Sequence, residues 1–132
     1  MKLIIQIPCY NEAETLPKTY QDLPKTIEGI SKIETLIIND GSTDNTIDVA
    51  QKIGINHIID HKSNRGLARA FESGIEHCLK LGAYIIVNTD GDNQYNGADI
   101  EKLVQPIVEG RADVVIGDRD TNNIKHFSWF KK

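Results

Sequence analysis

Two aspartates separated by one residue, Asp90 and Asp92, follow an apolar run and are the first candidates for chemistry in this sequence. Residues two apart on an extended segment point to the same side, so the two carboxylates can share one cation. Without a cation, carboxylates about 4 Å apart repel each other by roughly 4 kcal/mol at an effective dielectric constant near 20. Oxygen ligands suit Mg²⁺ or Mn²⁺, and Gly91 lets a ligand approach the backbone closely. The alternative is an aspartate-rich turn before the next helix.

Spacing excludes a calcium loop and the common phosphate-binding loops. If Asp90 is the first ligand of a calcium loop, Tyr95 stands where the turn glycine belongs. If Asp92 is the first ligand, Leu103 stands where the bidentate glutamate belongs. No apolar run is followed by Gly-x-Gly-x-x-Gly, and no Gly-Lys-Ser/Thr motif is present. The four histidines have no metal-ligand spacing, so the sequence predicts no role for them.

Five short runs rich in isoleucine and valine predict the strands that position these aspartates. They span residues 3–7, 34–39, 55–60, 83–88 and 112–117. Most are apolar on both faces, as parallel strands covered by helices are. The stretches between them have helical spacing, so the pattern predicts an α/β fold with an open, mostly parallel sheet. Ligands of such sheets bind beyond the carboxyl ends of the strands.

The connecting helices have recognisable ends. Asp44 is the predicted N-cap of the second helix, and Gly54 is its predicted terminator. The third helix ends at Gly82 and carries an apolar stripe that we expect to be buried. The stripe consists of Leu67, Phe71, Ile75, Cys78 and Leu79. The capping-box spacing of Asn11 and Glu14 lets the first helix start near Glu12 or as late as Thr15.

Polar clusters follow all five predicted strands: PCYNE, NDGSTDNT, DHKSNRG, NTDGDNQY and GDRD. Each alone is compatible with ordinary turn chemistry, because Asn, Asp, Gly and Ser are frequent in turns. Five clusters at one edge of a parallel sheet indicate a binding site. In it, Asp40 either accepts hydrogen bonds from a base or ribose or caps a helix, and Tyr10 either stacks on a base or packs. Glu12 either holds a ribose hydroxyl or favours a helix N-terminus electrostatically.

Arginines near the same edge can neutralise a diphosphate leaving group. Arg65 and Gly66 lie at a helix start, where backbone N–H groups also favour anions. Arg119 follows the fifth predicted strand and can reach an acceptor phosphate, unless it pairs with its aspartate neighbours on the surface. Arg69 is equally well explained as a solvated helix charge.

Composition excludes several classes of protein. The chain has 132 residues, of which 39% are apolar and 26% charged, and its formal net charge is −4, which predicts one folded, soluble domain. No strongly basic stretch indicates a nucleic-acid partner. No run approaches the roughly 18 apolar residues of a membrane span. Two cysteines without a Cys-x-x-Cys motif indicate reduced thiols and a cytoplasmic protein.

Taken together, IPCYNEAETL, INDGSTDNT, SNRGLARAFESG, NTDGDNQY and VVIGDR resemble the motif series of family 2 glycosyltransferases in order and interval. The resemblance is closest to the branch of dolichyl-phosphate mannose synthases and bacterial polyprenyl-phosphate glycosyltransferases. It implies the Rossmann-like nucleotide-diphospho-sugar transferase fold, a three-layer sandwich, over residues 1–120. It also implies an inverting enzyme with Mg²⁺ or Mn²⁺ as cofactor and a UDP- or GDP-sugar as donor. The implied acceptor is a polyprenyl (dolichyl-type) phosphate or a saccharide.

The resemblance further implies roles for individual residues. Asp90, Asp92 and Gln94 would ligate the metal ion, and Asp90 and Gly91 would also lie beside the nucleotide. Arg119 would hold phosphate and, with the two aspartates, act in catalysis. The other residues of the nucleotide pocket would be Pro8, Tyr10, Asn11, Glu12, Asp40 (at the base), Ser42, Asn64 and Gly66.

Residues 121–132 depart from the family pattern. We expect them to be a tail that leads toward an acceptor or membrane-interface region, with the full-length protein at the cytoplasmic face of a membrane. Two other functions fit the same residues. One is a catalytically inactive nucleotide-sugar-binding module. The other is a phosphatase of the haloacid dehalogenase type, although such an enzyme would carry its aspartate pair after the first strand.

Overall fold

The structure, a computed structural model, describes residues 1–89, 98–111, 114–117 and 124–127. Its elements in chain order are β1 (Lys2–Cys9), α1 (Leu16–Asp22), β2 (Lys32–Asn39), α2 (Thr46–Ile53), β3 (His57–Asp60), α3 (Leu67–Lys80), β4 (Ile85–Asn88), α4 (Ala98–Val108), β5 (Val114–Gly117) and β6 (Ile124–Phe127). Strands and helices alternate through α4, as the apolar pattern predicts.

Four strands form one parallel sheet in the order β3–β2–β1–β4. Strand β1 pairs with β2 along its whole length, so Cys9 lies opposite Asn39, and Asn39 lies opposite Asp60 of β3. On its other side β1 pairs with β4, where Gln6 lies opposite Asn88. The carboxyl ends of β1, β2 and β3 are therefore in register, and the loops that follow them meet at one edge. The predicted α/β fold with a mostly parallel sheet is confirmed.

Helices cover both faces of this sheet, which gives the predicted three layers. The larger apolar cluster contains Leu3 and Ile5 of β1 and is completed by residues of α1, α2 and α4. The smaller cluster contains Ile4 of β1, which packs with Ala70 and Cys78 of α3. Alternate residues of the central strand are thus buried on opposite sides, which explains why its sequence is apolar at nearly every position.

The fifth predicted strand is present as β5, but its pairing differs from the parallel pairing of the other four. Strand β5 does not join the parallel sheet but pairs antiparallel with β6, with Gly117 opposite Ile124 and Val114 opposite Phe127. Strand β6 falls within residues 121–132, where we expected a tail. An apolar run of isoleucine and valine does not reveal its partner. The IKHF segment, which follows after six intervening residues, contains β-branched and aromatic residues that favour a strand. Strand β6, a nearby antiparallel partner, therefore pairs with the backbone groups on one edge of β5.

The face of α3 that packs on the sheet also differs from the predicted stripe. Its buried residues are Ala70, Gly74 and Cys78. Three residues of the predicted stripe are exposed instead: Leu67, Phe71 and Leu79. A Cβ atom added at Gly74 would lie 2.3 Å from Oε1 of the buried Gln6, so only a helix face of small residues can approach the sheet this closely. The close approach of α3 to the sheet therefore determines which face of the helix is buried. The positions of the large apolar residues do not predict that face.

The helix ends agree with prediction to within a residue or two. Helix α1 starts after Thr15, the later of the two expected points. Gly54 and Gly82, both with left-handed backbones, follow α2 and α3. Asp44 caps α2 through its side chain, because its Oδ1 accepts the Thr46 N–H at 3.0 Å, although the formal N-cap is the next residue.

The loop after β2 packs directly on the loop after β3. Gly41 has a φ of +76°, and a Cβ atom there would lie 2.3 Å from the backbone nitrogen of Asn64 and 2.4 Å from the carbonyl carbon of Ser63. Both neighbours are backbone atoms, which cannot swing aside as the end of a side chain can. The glycine therefore sets the distance between the two loops.

Gly41→Ala should destabilise the protein more than the matched variant Gly54→Ala. Both glycines have left-handed backbones, so each alanine incurs roughly 1–2 kcal/mol of conformational strain. A Cβ atom at Gly54 meets nothing within 4 Å, whereas at Gly41 it adds a steric clash of the kind that costs about 1–3 kcal/mol. Urea unfolding of both variants measures the difference, and equal losses would contradict the close contact between the loops.

An ion cluster ties the amino end of β2 to its neighbours. Oε1 of Glu34 lies 2.8 Å from Lys2 Nζ and 3.2 Å from His57 Nε2. Oε2 of Glu34 lies 3.4 Å from Lys32 Nζ. The hydrogen bond from Lys2, only partly opposed by burial, lowers the pKa of Glu34 from 4.5 to about 2. Lys2 also donates to the Leu81 carbonyl at 2.9 Å, which fastens the end of α3 to the same cluster.

Glu34→Gln should reduce the loss of stability in acid. The pKa of Glu34 is lower in the folded than in the unfolded chain. The stability that Glu34 contributes is therefore complete above pH 4.5 and is lost as the pH falls toward 2. The wild type should therefore lose more unfolding free energy than E34Q between about pH 5 and pH 2. Glu109→Gln, which removes a carboxylate from an exposed pair with Arg111, is the control. Parallel stability curves for wild type and E34Q would rule out this role.

Candidate functional site

The loops that follow β1 and β2 are joined by hydrogen bonds around Asn11. Its Oδ1 accepts the N–H of Thr43 at 2.7 Å and that of Asp44 at 3.3 Å. Its own N–H donates to Ser42 Oγ at 2.9 Å. The backbone of Asn11 is left-handed, with a φ of 54°, a conformation that asparagine adopts more readily than most residues. Residues 42–44 are therefore held by one side chain of the first loop.

Asp44 and Thr46 complete this connection from the other side. The Ala13 N–H donates to Asp44 Oδ2 at 3.2 Å, and the Glu12 N–H donates to Thr46 Oγ1 at 3.1 Å. The Thr15 hydroxyl donates to Glu12 Oε2 at 2.8 Å. Burial acts to raise the pKa of Asp44, but hydrogen bonds from Thr46 and Ala13 lower it below its usual value. The two loops thus form one unit, on which Glu12 is oriented.

Asp40 connects the loop after β2 to the start of α3. It is 5% exposed, and its Oδ1 and Oδ2 accept the N–H groups of Arg65 and Gly66, each at 2.9 Å. Gly66 has φ 95° and ψ 160°, a conformation open essentially to glycine alone. We expected these N–H groups to favour an anion, and the anion they bind is a carboxylate of the chain itself.

His61 binds the same carboxylate, although its spacing in the sequence predicts no role. It is 7% exposed, with Nδ1 3.2 Å from Asp40 Oδ1 and Nε2 2.9 Å from Ser73 Oγ. An ionised carboxylate only accepts, so the hydrogen-bond network assigns the proton to Nδ1. Burial acts to raise the pKa of Asp40, but hydrogen bonds from Arg65, His61 and Gly66 lower it, so Asp40 is ionised at neutral pH.

The other predicted nucleotide residues lie around these loops. Tyr10 is 47% exposed, so its ring is accessible from solvent. Asn64 is exposed as well, and its backbone packs on Gly41. Pro8 is buried within β1. Hydrogen bonds bring Asn11 to Ser42 and Asp40 to Gly66, so four of the ten predicted pocket residues are linked in pairs.

The predicted metal and phosphate residues lie outside the described residues: Asp90, Gly91, Asp92, Gln94 and Arg119. Their roles stay predictions. The segment that leads into them is described, and it is anchored on the central strand. The fully buried Gln6 donates from Nε2 to Asn88 Oδ1 at 3.0 Å, and its carbonyl accepts the Thr89 N–H at 3.1 Å.

A cavity of about 400 Å³ lies beside this edge of the sheet. Its lining includes Ser42 and the charged residues Asp44, Asp48, Asp60 and Lys62. Three carboxylates against one ammonium group disfavour a diphosphate. Tyr10 and Asp40 are not among the lining residues, so the cavity is separate from the predicted base contacts.

Other groups in the described residues offer no alternative centre. Within residues 1–89 and 98–111, no three His, Cys, Asp or Glu side chains are arranged to hold a metal ion. Both cysteines are buried and unpaired, and burial raises the pKa of both thiols, that of Cys78 to about 11. None of the helices that the structure describes is long and apolar enough to cross a bilayer.

The sequence matches proteins of one family. The model for glycosyl transferase family 2 matches residues 4–132. An uncharacterized protein of Methanocaldococcus jannaschii is 33% identical over 133 residues, which cover 99% of this chain and 53% of that protein. A UDP-N-acetylglucosamine–dolichyl-phosphate N-acetylglucosaminyltransferase of Methanococcus voltae is 29% identical over 132 residues, which cover 88% of this chain and 51% of that enzyme. The chain spans about half the length of these relatives.

The fold matches solved transferase structures as well. The mannosyltransferase PcManGT of Pyrobaculum calidifontis, solved with GDP-Man and Mn²⁺, aligns with a TM-score of 0.62 at 20% identity. The alignment covers 78% of this chain and 31% of PcManGT. The predicted nucleotide-diphospho-sugar transferase fold is therefore confirmed. Because the family model matches residues 4–132, nearly the whole sequence, the chain belongs to glycosyl transferase family 2.

Proposed function

We propose that this chain is the donor-binding part of an inverting, metal-dependent glycosyltransferase that transfers a sugar from a UDP- or GDP-sugar to a polyprenyl phosphate. The observation that carries the proposal is the linked set of loops at the carboxyl edge of the sheet, in which Asn11 holds residues 42–44 and Asp40 holds residues 65–66. The Methanococcus voltae relative is a dolichyl-phosphate N-acetylglucosaminyltransferase, which supports a lipid-phosphate acceptor. The GDP-Man and Mn²⁺ bound to PcManGT support a nucleotide-sugar donor and a divalent cation.

Tyr10, Asp40 and Glu12 are the groups that would bind the nucleoside. The half-exposed ring of Tyr10 offers a stacking surface for a base. Oδ2 of Asp40 accepts one hydrogen bond from the chain, so a further acceptor position remains for the imide N–H of uracil or the corresponding N–H of guanine. Oε2 of Glu12 receives the Thr15 hydroxyl, and Oε1 would accept a ribose hydroxyl.

Asp90, Asp92 and Gln94 would hold the divalent ion. Two carboxylates and an amide oxygen are the donors that Mg²⁺ and Mn²⁺ prefer. When bound, such an ion offsets the negative charge of the departing nucleoside diphosphate. The protein contributes by positioning the side chains that would bind the ion. The hydrogen bonds of Gln6 to Asn88 and Thr89 fix the backbone directly before Asp90.

The acceptor determines which other groups the reaction needs. A lipid phosphate is already an anion, so it attacks the anomeric carbon without a general base, whereas a saccharide hydroxyl needs one. Direct displacement inverts the configuration at that carbon. Arg119 would pair with the acceptor phosphate and offset its charge as it approaches the diphosphate.

Asp92→Asn should weaken metal-dependent nucleotide binding. Loss of a charged ligand leaves the ion less tightly held, and we expect affinity for UDP or GDP with Mn²⁺ to fall about tenfold or more. Calorimetric titration with Mn²⁺ and with chelator measures this. Asp22→Asn, the same change at an exposed position at the end of α1, is the control and should bind as the wild type does. Binding that ignores both the chelator and the Asp92 substitution would refute the metal site.

Tyr10→Ala should weaken nucleotide binding through loss of stacking. Stacking of a base on an aromatic ring contributes about 1–3 kcal/mol, so we expect a loss of affinity of roughly fivefold to a hundredfold. Tyr10→Phe, which keeps the ring, should retain most of the affinity. Tyr84→Ala removes a more exposed tyrosine, 68% accessible, at the amino end of β4 and should have no effect. If Tyr10→Ala binds like the wild type, the base does not stack there.

A further inference from the structure

We propose that His61 is a positioning residue for nucleoside recognition, which orients the carboxylate of Asp40 so that its remaining acceptor faces the base. The inference rests on the proposed function, because it takes Asp40 as the group that contacts the base. His61 is buried, so it acts through Asp40 and does not touch the ligand.

The hydrogen bonds of Asp40 leave one direction open. A carboxylate has about four acceptor positions, and the chain fills three of them. Oδ1 accepts from His61 Nδ1 at 3.2 Å and from the Arg65 N–H at 2.9 Å. Oδ2 accepts from the Gly66 N–H at 2.9 Å. The free acceptor therefore lies on Oδ2, and the rotation of the carboxylate group determines where it points.

His61 is suited to fix that rotation because it is held at both ends. Its backbone N–H donates to the carbonyl of Asn39, the last residue of β2, at 3.0 Å. Its Nε2 lies 2.9 Å from Ser73 Oγ on α3, the helix whose N-terminal boundary, Gly66, also binds Asp40. The contacts form a closed ring from Asp40 through Gly66, α3, Ser73 and His61 back to Asp40. The imidazole of His61, bound at both of its nitrogens, therefore has little freedom to rotate.

A purely structural role makes a different prediction. If His61 only stabilised the loops, its loss would disturb the whole ligand site, including the part that holds the diphosphate. If His61 orients Asp40, its loss should weaken binding of the base and spare the diphosphate. Inorganic pyrophosphate with Mn²⁺ therefore serves as a probe without a base, and UDP or GDP with Mn²⁺ as a probe with one.

The test compares His61→Ala, His61→Asn and Ser73→Ala by calorimetry with both probes. We expect His61→Ala to lower affinity for UDP or GDP about tenfold to a hundredfold, as loss of a hydrogen bond to a charged group does, and to leave pyrophosphate binding unchanged. The amide N–H of asparagine can take the place of Nδ1–H, so His61→Asn should restore most of the affinity. Ser73→Ala should cause a smaller loss.

Equal losses for UDP and pyrophosphate would overturn the proposal, as would an asparagine variant as weak as the alanine variant. If His61→Ala does not fold, the comparison of wild type, His61→Asn and His61→Gln decides, because glutamine places its amide toward Ser73 and should not restore affinity. If the wild type binds no nucleotide, the proposed function fails, and amide hydrogen exchange at Arg65 and Gly66 then tests the positioning of Asp40. Faster exchange in His61→Ala than in His61→Asn supports it, and equal rates overturn it.

Discussion

One buried negative charge organises the candidate site. The carboxylate of Asp40 gathers two backbone N–H groups at the start of α3 and a ring nitrogen of His61. Each of these donors, if left buried without a partner, would cost about 1–3 kcal/mol. The loop after β3 therefore depends on a residue of β2's loop for its conformation, and the helix that begins there depends on it too. The negative charge of Asp40 and the backbone conformation of residues 65–66 therefore stabilise each other.

The loops after β1, β2 and β3 are consequently held together by hydrogen bonds within the chain itself. Asn11 holds the loop after β2, Asp40 holds the loop after β3, and Gly41 lets the two approach each other. A ligand that binds between ordered loops does not have to supply the free energy of ordering them. The rigidity comes from short polar side chains that occupy turns, which are the residues that turn chemistry favours in any case.

Periodic apolar runs predicted the α/β fold, and the position of polar clusters after them predicted the edge where Asn11, Asp40 and Gly66 meet. These features are local in sequence. The contact of His61 with Asp40 joins residues 21 positions apart, and no rule of sequence spacing predicts it. The buried face of α3 depends on how closely Gly74 can approach Gln6, and the pairing of β5 depends on a partner further along the chain. Tertiary contact decides all three.

Gln6 has a consequence for how the sheet finds its alignment. Strands made of isoleucine, leucine and valine can slide past each other by two residues and still bury equivalent side chains, so apolar contact alone specifies their offset weakly. A slip between β1 and β4 would separate the amide of the fully buried Gln6 from the side chain of Asn88, its partner at the exposed end of β4. The hydrogen bond between Gln6 and Asn88 thus favours one alignment of β1 and β4 over the others. It also positions Asn88 and Thr89, the two residues directly before Asp90.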